Sequence, residues 1–357
     1  MKNSNIDMKK QIKNSNDLLE LSGKDDLPLV TIVVVVYNIA PFVSRCINSI
    51  IHQNYNNLNI LLVDDGSTDG SAEIVDQYAE TDARIVAIHQ KNAGPSVARN
   101  AGIDHAVGEF IVFVDGDDYL SPDYVDYMLD IERKTHADIV ASRNCFFTGD
   151  SKQIDEDHIV SVSSEDATAE FFYPRIRLGA WNKMYRATFL KNNYLRFVAE
   201  MRAGEGLQFI THAASLANCV GMGERKVYHY RTNNSDSATT KPDVKRQGVG
   251  AIETVNYIAQ HLSMYSSSSK VQRALEWHRW NTYGYCLRNI IAAGQQRQYR
   301  ELYRECIRKR REGLPVVLKA DVSLKGKIMA FAIAASPVLF AYLEQRKIQR
   351  HLRVVED

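Results

Sequence analysis

The sequence has little that would support a disulfide scaffold, a metal site built on cysteines or a surface for nucleic acid. Its 357 residues include five cysteines, an odd number, and they form no CxxC or other metal-binding spacing. This pattern favours a reducing cytoplasm. Lys plus Arg number 44 against 43 Asp plus Glu. With no global positive field, we expect no nucleic-acid partner.

Long apolar runs are also missing. Residues 1–26 are polar and have no apolar core of a signal peptide, so we expect a polar N-terminal extension that is not a secretion signal. The apolar stretch 328–343 has 16 residues and is broken by Pro337. It is shorter than the roughly 20 residues that span a bilayer.

Basic residues flank that stretch: Lys325, Lys327, Arg346, Lys347, Arg350, His351 and Arg353. A short apolar segment with basic flanks is typical of a helix at the cytoplasmic membrane surface. We therefore expect residues 321–357 to form an amphipathic, membrane-associating tail on a peripheral cytoplasmic protein. A helix packed on the preceding domain is the alternative.

The first third of the chain alternates apolar strands with helices. Strands are predicted at 29–36, 59–63, 84–88 and 110–114, and helices at 42–53, 72–79 and 97–106. Strands alternating with helices at this spacing predict βαβ units and a mainly parallel α/β sheet. The run at 29–36 is too apolar for a half-exposed strand, so it should be central.

The most informative motif is Asp115-Gly116-Asp117-Asp118, which directly follows the strand at 110–114. Open α/β sheets bind ligands at the carboxyl ends of their strands. Three carboxylates there suit Mn²⁺ or Mg²⁺ shared with a diphosphate, because both ions prefer oxygen ligands. The other strand ends deliver Tyr37 and Asp65 to the same edge.

Five segments in order resemble a family 2 inverting glycosyltransferase with the GT-A nucleotide-diphospho-sugar-binding fold, a Rossmann-like mixed but mainly parallel sheet. They are Val36-Tyr37-Asn38, Asp64 to Asp69, Asn92 to Asn100, Phe113 to Asp118 and Trp181 to Arg186. The resemblance runs from about residue 29 to 240. Val35 stands where the family usually has Pro, a departure that keeps the aromatic ring and the amide.

The resemblance implies a role for each matching residue. Tyr37, with Asn38 beside it, would stack on a uracil base, and Asp65 would accept a hydrogen bond from a base N–H. Lys91 and Arg99 would face the diphosphate, near a helix N-terminus that itself favours anions, and a solvated helix charge is the alternative for each. The remaining implied contacts are Asp115 to ribose or metal, Asp117 to metal, and Trp181 and Arg231 to the sugar, diphosphate or acceptor. Packing at the floor of the cleft is the alternative for Trp181, and a structural ion pair is the alternative for Arg231.

The general base is the main departure from the family. In a single displacement that inverts the sugar, a carboxylate takes the proton of the acceptor hydroxyl. The family has a Glu-Asp pair for this purpose, but here the stretch is Gly204-Glu205-Gly206, with Gly206 at the position of the catalytic Asp. Glu205 is therefore the predicted catalytic residue, and capping of the following helix is its structural alternative.

Together these patterns predict a GT-A domain at 27–240, a helical region at 241–320 and the basic tail at 321–357. The predicted function is metal-dependent sugar transfer from a nucleotide sugar, UDP-linked, to a lipid-linked or growing surface glycan. A nucleotidyltransferase of similar fold is disfavoured because Tyr37 to Pro41 replaces a Gly-rich loop after the first strand. A non-catalytic nucleotide-sugar-binding or scaffold protein stays open, because of Gly206.

Overall fold

The computed structural model describes residues 27–201, 203–234, 242–266 and 268–356. The predicted extension at 1–26 lies outside these residues. The strands are β1 Val30–Val36, β2 Leu58–Asp64, β3 Ile85–His89, β4 Phe110–Asp115, β5 Tyr119–Leu120, β6 Ile139–Ser142, β7 Phe146–Phe147, β8 Val160–Ser163, β9 Lys183–Arg186, β10 Cys219–Gly223 and β11 Tyr228–Tyr230.

The helices divide between the sheet-containing part and the C-terminal part of the chain. The first group is α1 Ala40–Ile51, α2 Ser71–Thr81, α3 Pro95–His105, α4 Tyr124–Thr135, α5 Ser164–Phe172, α6 Ala187–Asn192 and α7 Glu205–Leu216. After a π-helical turn at Val244–Val249 come α8 Gly250–Tyr265, α9 Ser269–Ala292, α10 Arg300–Glu312, α11 Leu314–Lys319, α12 Leu324–Ala335 and α13 Pro337–Glu356.

Eight strands form the main sheet in the order β3-β2-β1-β4-β9-β6-β10-β8. Neighbours among β3, β2, β1 and β4 are parallel, whereas β9 runs antiparallel to both β4 and β6. The strand β1 is central and almost wholly buried, as its unbroken apolar sequence predicted. The predicted mixed, mainly parallel α/β sheet is confirmed.

Apolar layers cover both faces of this sheet. On one face Val34 and Ile60 pack with α1 and α4 through residues such as Ile47 and Met128. On the other, Val33 packs with α3, α5 and α7. Fully burying one Val, Leu or Ile side chain contributes about 1.5–3 kcal/mol, so these two layers hold the strand ends in place.

The helical region packs on the sheet-containing part rather than standing apart from it. Phe172 of α5 and Leu207 of α7 share an apolar cluster with Val255, Ile258 and Leu275 from α8 and α9. The helical region predicted at 241–320 contains the helices α8, α9, α10 and α11.

The apolar stretch at the C-terminus is two helices and not one. Among the described residues no single helix is long and apolar enough to span a membrane. The helices Leu324–Ala335 and Pro337–Ile348 reach that length and apolar character only when taken together, and they are bent by 116° relative to each other. Part of the pair is packed inward: Ala330 and Ala341 are buried against α9 neighbours. Its other side exposes Phe331, Leu339 and Leu343.

Candidate functional site

The strand ends that the sequence predicted to meet do lie side by side. In the parallel ladders Val36 pairs with Asp64 and Val35 pairs with Asp115, so β1, β2 and β4 end at one edge. Tyr37 follows β1 with 46% of its surface exposed. An exposed aromatic ring beside buried carboxylates is available to stack on a planar ligand.

Asn38 fixes the loop after β1 instead of facing solvent freely. Its backbone is left-handed, with φ of 49°, a conformation that Asn tolerates better than most residues. Its Oδ1 accepts a hydrogen bond from Thr68 N at 2.8 Å, and its own N–H donates to Ser67 Oγ at 3.1 Å. The predicted donor-binding residue therefore joins the β1 and β2 loops.

Asp65 is buried and holds the loop that begins α3. Its carboxylate accepts hydrogen bonds from Gln90 Nε2 at 2.7 Å, Ala93 N at 2.9 Å and Gly94 N at 2.8 Å. Lys91, in the same loop, is exposed. Asp65 thus fixes the N-terminus of α3 at the edge of the sheet. A hydrogen bond from a nucleobase, as the sequence predicts, would be a further bond to the same carboxylate.

The Asp115 to Asp118 turn is shaped by a glycine. A Cβ at Gly116 would lie 2.5 Å from Ile39 Cδ1 and 2.7 Å from Val35 O, so only glycine fits against β1. Asp117 Oδ2 accepts a hydrogen bond from Asn234 Nδ2 at 2.9 Å. The motif is therefore packed tightly against the central strand, with its carboxylates held in place.

Burial and mutual repulsion perturb these carboxyls. Desolvation, followed by the charge of Asp115, raises the pKa of Asp117. Desolvation and the neighbouring Asp115 and Asp117 raise the pKa of Asp118 well above its ordinary value. Asp118 accepts hydrogen bonds from Tyr228 Oη and Arg231 N, both at 2.7 Å. Burial and the neighbouring carboxylates therefore disfavour full ionisation of Asp117 and Asp118 at the end of β4.

Arg231 stabilises the Asp115 to Asp118 turn. Its Nε donates to the carbonyl oxygen of Asp117 at 2.7 Å, and its guanidinium lies 4.6 Å from the centre of the Phe42 ring. The sequence left a diphosphate or acceptor contact and a structural role both open for Arg231. The observed bonds are structural, and the predicted ligand contact stays a prediction.

Arg99 joins two of the predicted site carboxylates. Its Nη2 donates to Asp115 Oδ1 at 2.8 Å, and its Nη1 donates to Glu205 Oε1 at 3.2 Å. The arginine is 7% exposed, so it is a buried link between these carboxylates, and its predicted contact with a diphosphate stays a prediction. Removing one partner from such a buried group leaves uncompensated charge.

Glu205 is the first residue of α7 and lies on a cavity of about 530 Å³. Gly204 precedes it with φ of 80°, which favours glycine. At Gly206, a Cβ would be 3.1 Å from both Gly179 Cα and Leu178 O. The glycine that replaces the family's Asp is thus a point of close packing between α7 and the 178–180 backbone.

The Trp181-Asn182-Lys183 segment follows the cavity-lining residues Leu178 and Gly179 and is held by ring stacking and hydrogen bonds. Trp181 stacks on Tyr228 and Tyr230, with centroids 4.9 Å apart in each case. Asn182 is left-handed and donates to the carbonyl oxygens of Ser142 and Asn144. Packing of the tryptophan was one of its predicted roles, and its sugar contact stays a prediction.

Lys183 is fully buried and donates to the carbonyl oxygens of Arg177 at 2.8 Å, Gly179 at 2.7 Å and Trp181 at 3.2 Å. Burial lowers the pKa of Lys183 to about 7. Sequence reasoning named this lysine only as part of a motif. The signal was present, however, because it is a charged residue that begins an otherwise buried strand.

The predicted metal site is not completed by protein ligands alone. Among the residues that the structure describes, no group of three or more His, Cys, Asp or Glu side chains is arranged to hold a metal ion. Asp115 and Asp117 offer carboxylate oxygen atoms, the ligand type that Mn²⁺ or Mg²⁺ prefers, and a bound diphosphate would supply further oxygen ligands.

Comparisons with known proteins agree with this geometry. Residues 31–192 match the model of Glycosyl transferase family 2. EpsH of Bacillus subtilis (strain 168) is 33% identical over 217 residues, which cover 59% of this chain and 62% of EpsH. The chain therefore spans about three-fifths of that relative's length.

Solved structures give the same fold at low identity. TarS 1-349 of S. aureus in complex with UDP has a TM-score of 0.63 and 19% identity, and the match covers 90% of this chain and 91% of TarS 1-349. The mannosyltransferase PcManGT from Pyrobaculum calidifontis, in complex with GDP-Man and Mn²⁺, has a TM-score of 0.51 and 16% identity over 90% of this chain and 88% of its own.

The sheet, the strand ends that meet at one edge and the structural neighbours define a protein with the GT-A fold. Residues 31–192, somewhat less than half of the chain, match glycosyl transferase family 2, so this part of the chain is a domain of that family. The sequence prediction of a family 2 glycosyltransferase with the GT-A fold is confirmed. The domain boundaries at 26, 240 and 320 and the roles of individual site residues stay predictions.

Proposed function

We propose that the chain is an inverting, metal-dependent glycosyltransferase that moves a sugar from a UDP-linked donor to a lipid-linked or growing surface glycan. One observation carries the proposal: Asp115, Arg99 and Glu205 form a continuous ion-pair chain. It runs from the carboxylates at the end of β4 to a carboxylate on the wall of a cavity. A glycosyltransferase needs a donor site and an acceptor site side by side. The end of β4 would serve the donor, and the cavity at Glu205 would serve the acceptor.

The exposed ring of Tyr37 and the buried carboxylate of Asp65 support the choice of a nucleotide donor. They lie at the ends of adjacent strands, and Asp65 orders the amides at the N-terminus of α3. Asp65 occupies the N–H groups of Ala93 and Gly94, so it is the positive end of the α3 dipole that would favour a phosphate group. Binding of UDP by TarS, which shares the fold, supports UDP as the nucleotide.

The residues at the end of β4 fit a divalent cation. Asp117, with its raised pKa, and Asp115 would hold it together with the donor diphosphate. When bound, such an ion acts as a Lewis acid that stabilises negative charge on the leaving diphosphate. Mn²⁺ in the PcManGT complex supports this assignment. Arg99 positions the carboxylate of Asp115 by the bond at 2.8 Å.

Glu205 is the proposed general base. It has the only carboxylate among the described residues that line the 530 Å³ cavity, and Arg99 fixes its direction. In the proposed step the acceptor oxygen attacks the anomeric carbon, the bond to the diphosphate breaks, and Glu205 takes the acceptor proton. A positioned base of this kind contributes about 10²- to 10⁴-fold to the rate.

A thermal-shift screen tests the donor and the metal together. UDP, GDP, CDP and dTDP are added with and without Mn²⁺, since a ligand that binds only the folded state raises Tm. We expect UDP with Mn²⁺ to give the largest rise, and Asp117→Ala to remove the Mn²⁺-dependent part. A metal-independent rise of equal size in both proteins would contradict the metal role.

Gly206 favours one second candidate, a nucleotide-sugar-binding protein without catalysis. The family's Asp is replaced by a residue packed against the 178–180 backbone, and the remaining carboxylate is already paired with Arg99. Release of free UDP from a UDP-sugar in the presence of acceptor separates the two candidates. Donor binding without any release would favour the binding protein.

The bent pair α12–α13 supports a place on the inner face of the cytoplasmic membrane. Phe331 is 53% exposed, Leu339 52% and Leu343 48%, and Lys325 and Arg346 lie on the same two helices. Exposed apolar groups would enter the interface while basic groups meet anionic lipid headgroups. This location would bring the enzyme to a lipid-linked acceptor.

A further inference from the structure

The cavity on which Glu205 lies is built by two parts of the chain. Glu205, Leu178 and Gly179 come from the sheet-containing part, and Asn281, Thr282 and Tyr285 come from α9. Its volume of about 530 Å³ falls within the roughly 300–1,000 Å³ typical of small-molecule sites. A helix outside the family 2 match therefore supplies one wall of the site.

The cavity adjoins the N-terminus of α3, where the proposed donor diphosphate would lie. A second cavity of about 400 Å³ is lined by Ala93 and Gly94, the two residues whose amides bond to Asp65. Pro95, Met201 and Arg246 line both cavities. The space between the N-terminus of α3 and helix α9 is thus one groove, with Glu205 along it.

The groove wall at α9 has little charge and many neutral hydrogen-bonding groups. Among the described residues around the larger cavity, the charged ones are Glu205 and Arg246, one of each sign. Burial lowers the pKa of His278, so its ring is neutral at neutral pH. The amides and hydroxyls of Gln247, Asn281 and Tyr285 lie beside apolar Leu178 and Leu207.

We propose that α9 is the acceptor-binding wall of the active site, and that it binds a neutral sugar residue through Asn281 and Tyr285. This rests on the proposed glycosyltransferase function. A pyranose offers hydroxyls to the polar groups and C–H faces to the apolar ones, whereas a polyanionic acceptor would need more than one cation. Glu205 on the opposite wall then meets the hydroxyl that attacks.

The test uses the full chain with its UDP-sugar donor and Mn²⁺, and measures UDP release. The probes are methyl and octyl glycosides of glucose, galactose, mannose and N-acetylglucosamine. We expect at least one to stimulate release above the acceptor-free rate. Stimulation by octyl glycosides alone indicates a lipid-linked acceptor, and equal stimulation by methyl glycosides indicates a free glycan end.

Two variants of cavity-lining residues then test whether the active glycoside binds in the cavity. Asn281→Trp, which fills the space, should raise the KM for the active glycoside by about tenfold or more, and Tyr285→Phe should raise it about threefold, the scale of losing one or two contacts. Gln272→Trp, on an exposed part of α9 away from the cavity, should leave it unchanged. Thermal unfolding checks that each variant is folded.

Three results separate the two proposals. Unchanged KM in both cavity variants would overturn the assignment of α9, with the glycosyltransferase function intact. Stimulation by glycerol 3-phosphate and by no glycoside would overturn the neutral-sugar class. No donor binding and no release by the wild-type chain under any condition would instead contradict the proposed function itself.

Discussion

Negative charge at the end of β4 is the residue-level feature that most distinguishes this site. Asp115 is paired with Arg99, but Asp117 and Asp118 bond to Asn234, Tyr228 and a backbone amide. Like charges held together out of water destabilise the folded protein. Removing one carboxylate from this turn should therefore raise its stability.

Asp117→Asn should raise the Tm of the donor-free protein at pH 7.5. The folded carboxyl has a raised pKa, whereas an unfolded Asp has a pKa of about 3.9. The folded state thus binds this proton more tightly, so stability falls as pH rises between the two values, and the full destabilisation is present above the folded pKa.

Thermal unfolding from pH 4 to 8 measures this effect, with Glu80→Gln, an exposed acidic residue on α2, as the control. We expect the Tm difference between Asp117→Asn and wild type to shrink as pH falls toward 4, and the control to stay near wild type throughout. A Tm lower than that of the wild type at pH 7.5 would contradict the charge argument.

At the scale of elements, the loop before β9 is held by one buried side chain. Lys183 donates to three carbonyl oxygens of residues 177–181, and this loop forms both the Trp181 stack and the backbone against which Gly206 packs. The position of Glu205 at the start of α7 therefore depends on Lys183, which lines neither of the two cavities.

Lys183→Met should destabilise the protein by about 3 kcal/mol or more, because each buried carbonyl left without a partner costs about 1–3 kcal/mol. Lys191→Met is the matched control: that lysine is exposed and donates to the single carbonyl oxygen of Ala106 at 3.0 Å. Urea unfolding compares the two. Equal small losses in both variants would show that Lys183 does not organise the loop.

Much of the fold follows from local patterns in the sequence. The unbroken apolar run of β1 predicted a central parallel strand, and the strand ends at Tyr37, Asp65 and Asp115 predicted the edge at which the site lies. These features depend on residues close together in the chain. The family motifs added the GT-A topology.

The long-range contacts could not be predicted in the same way. Nothing local indicates that Arg99 would meet Glu205, 106 residues further on, or that α9 would form a wall beside Leu178. Such contacts depend on how the helical region packs on the sheet. The apolar stretch 328–343 divides into two helices for a local reason, because Pro337 begins a new helix at a bend.

At the scale of the whole molecule, the tail is both packed and exposed. Since Ala341 is buried in a cluster with Tyr283 and Leu287 of α9, deletion of 324–357 would also uncover the helical core. A combined Phe331→Gln, Leu339→Gln and Leu343→Gln variant changes the exposed side alone. Vesicle flotation with anionic lipid separates these effects.

We expect the triple variant to lose most vesicle binding while keeping the Tm of the wild type, because its apolar groups no longer enter the lipid interface. High salt should weaken binding by the wild type, since the basic residues act through screened electrostatics. Equal flotation of both proteins would remove the membrane proposal. A large fall in Tm would instead favour a purely packed tail.

The central claim, catalysis with Glu205 as the base, is tested most directly by the turnover of Glu205→Gln. Acceptor-dependent UDP release is measured with the UDP-sugar, Mn²⁺ and the best glycoside, and donor affinity is measured separately. We expect kcat to fall by about 10²- to 10⁴-fold with donor affinity nearly unchanged. Near-normal turnover in Glu205→Gln, above all with a faster Gly206→Asp, would contradict it.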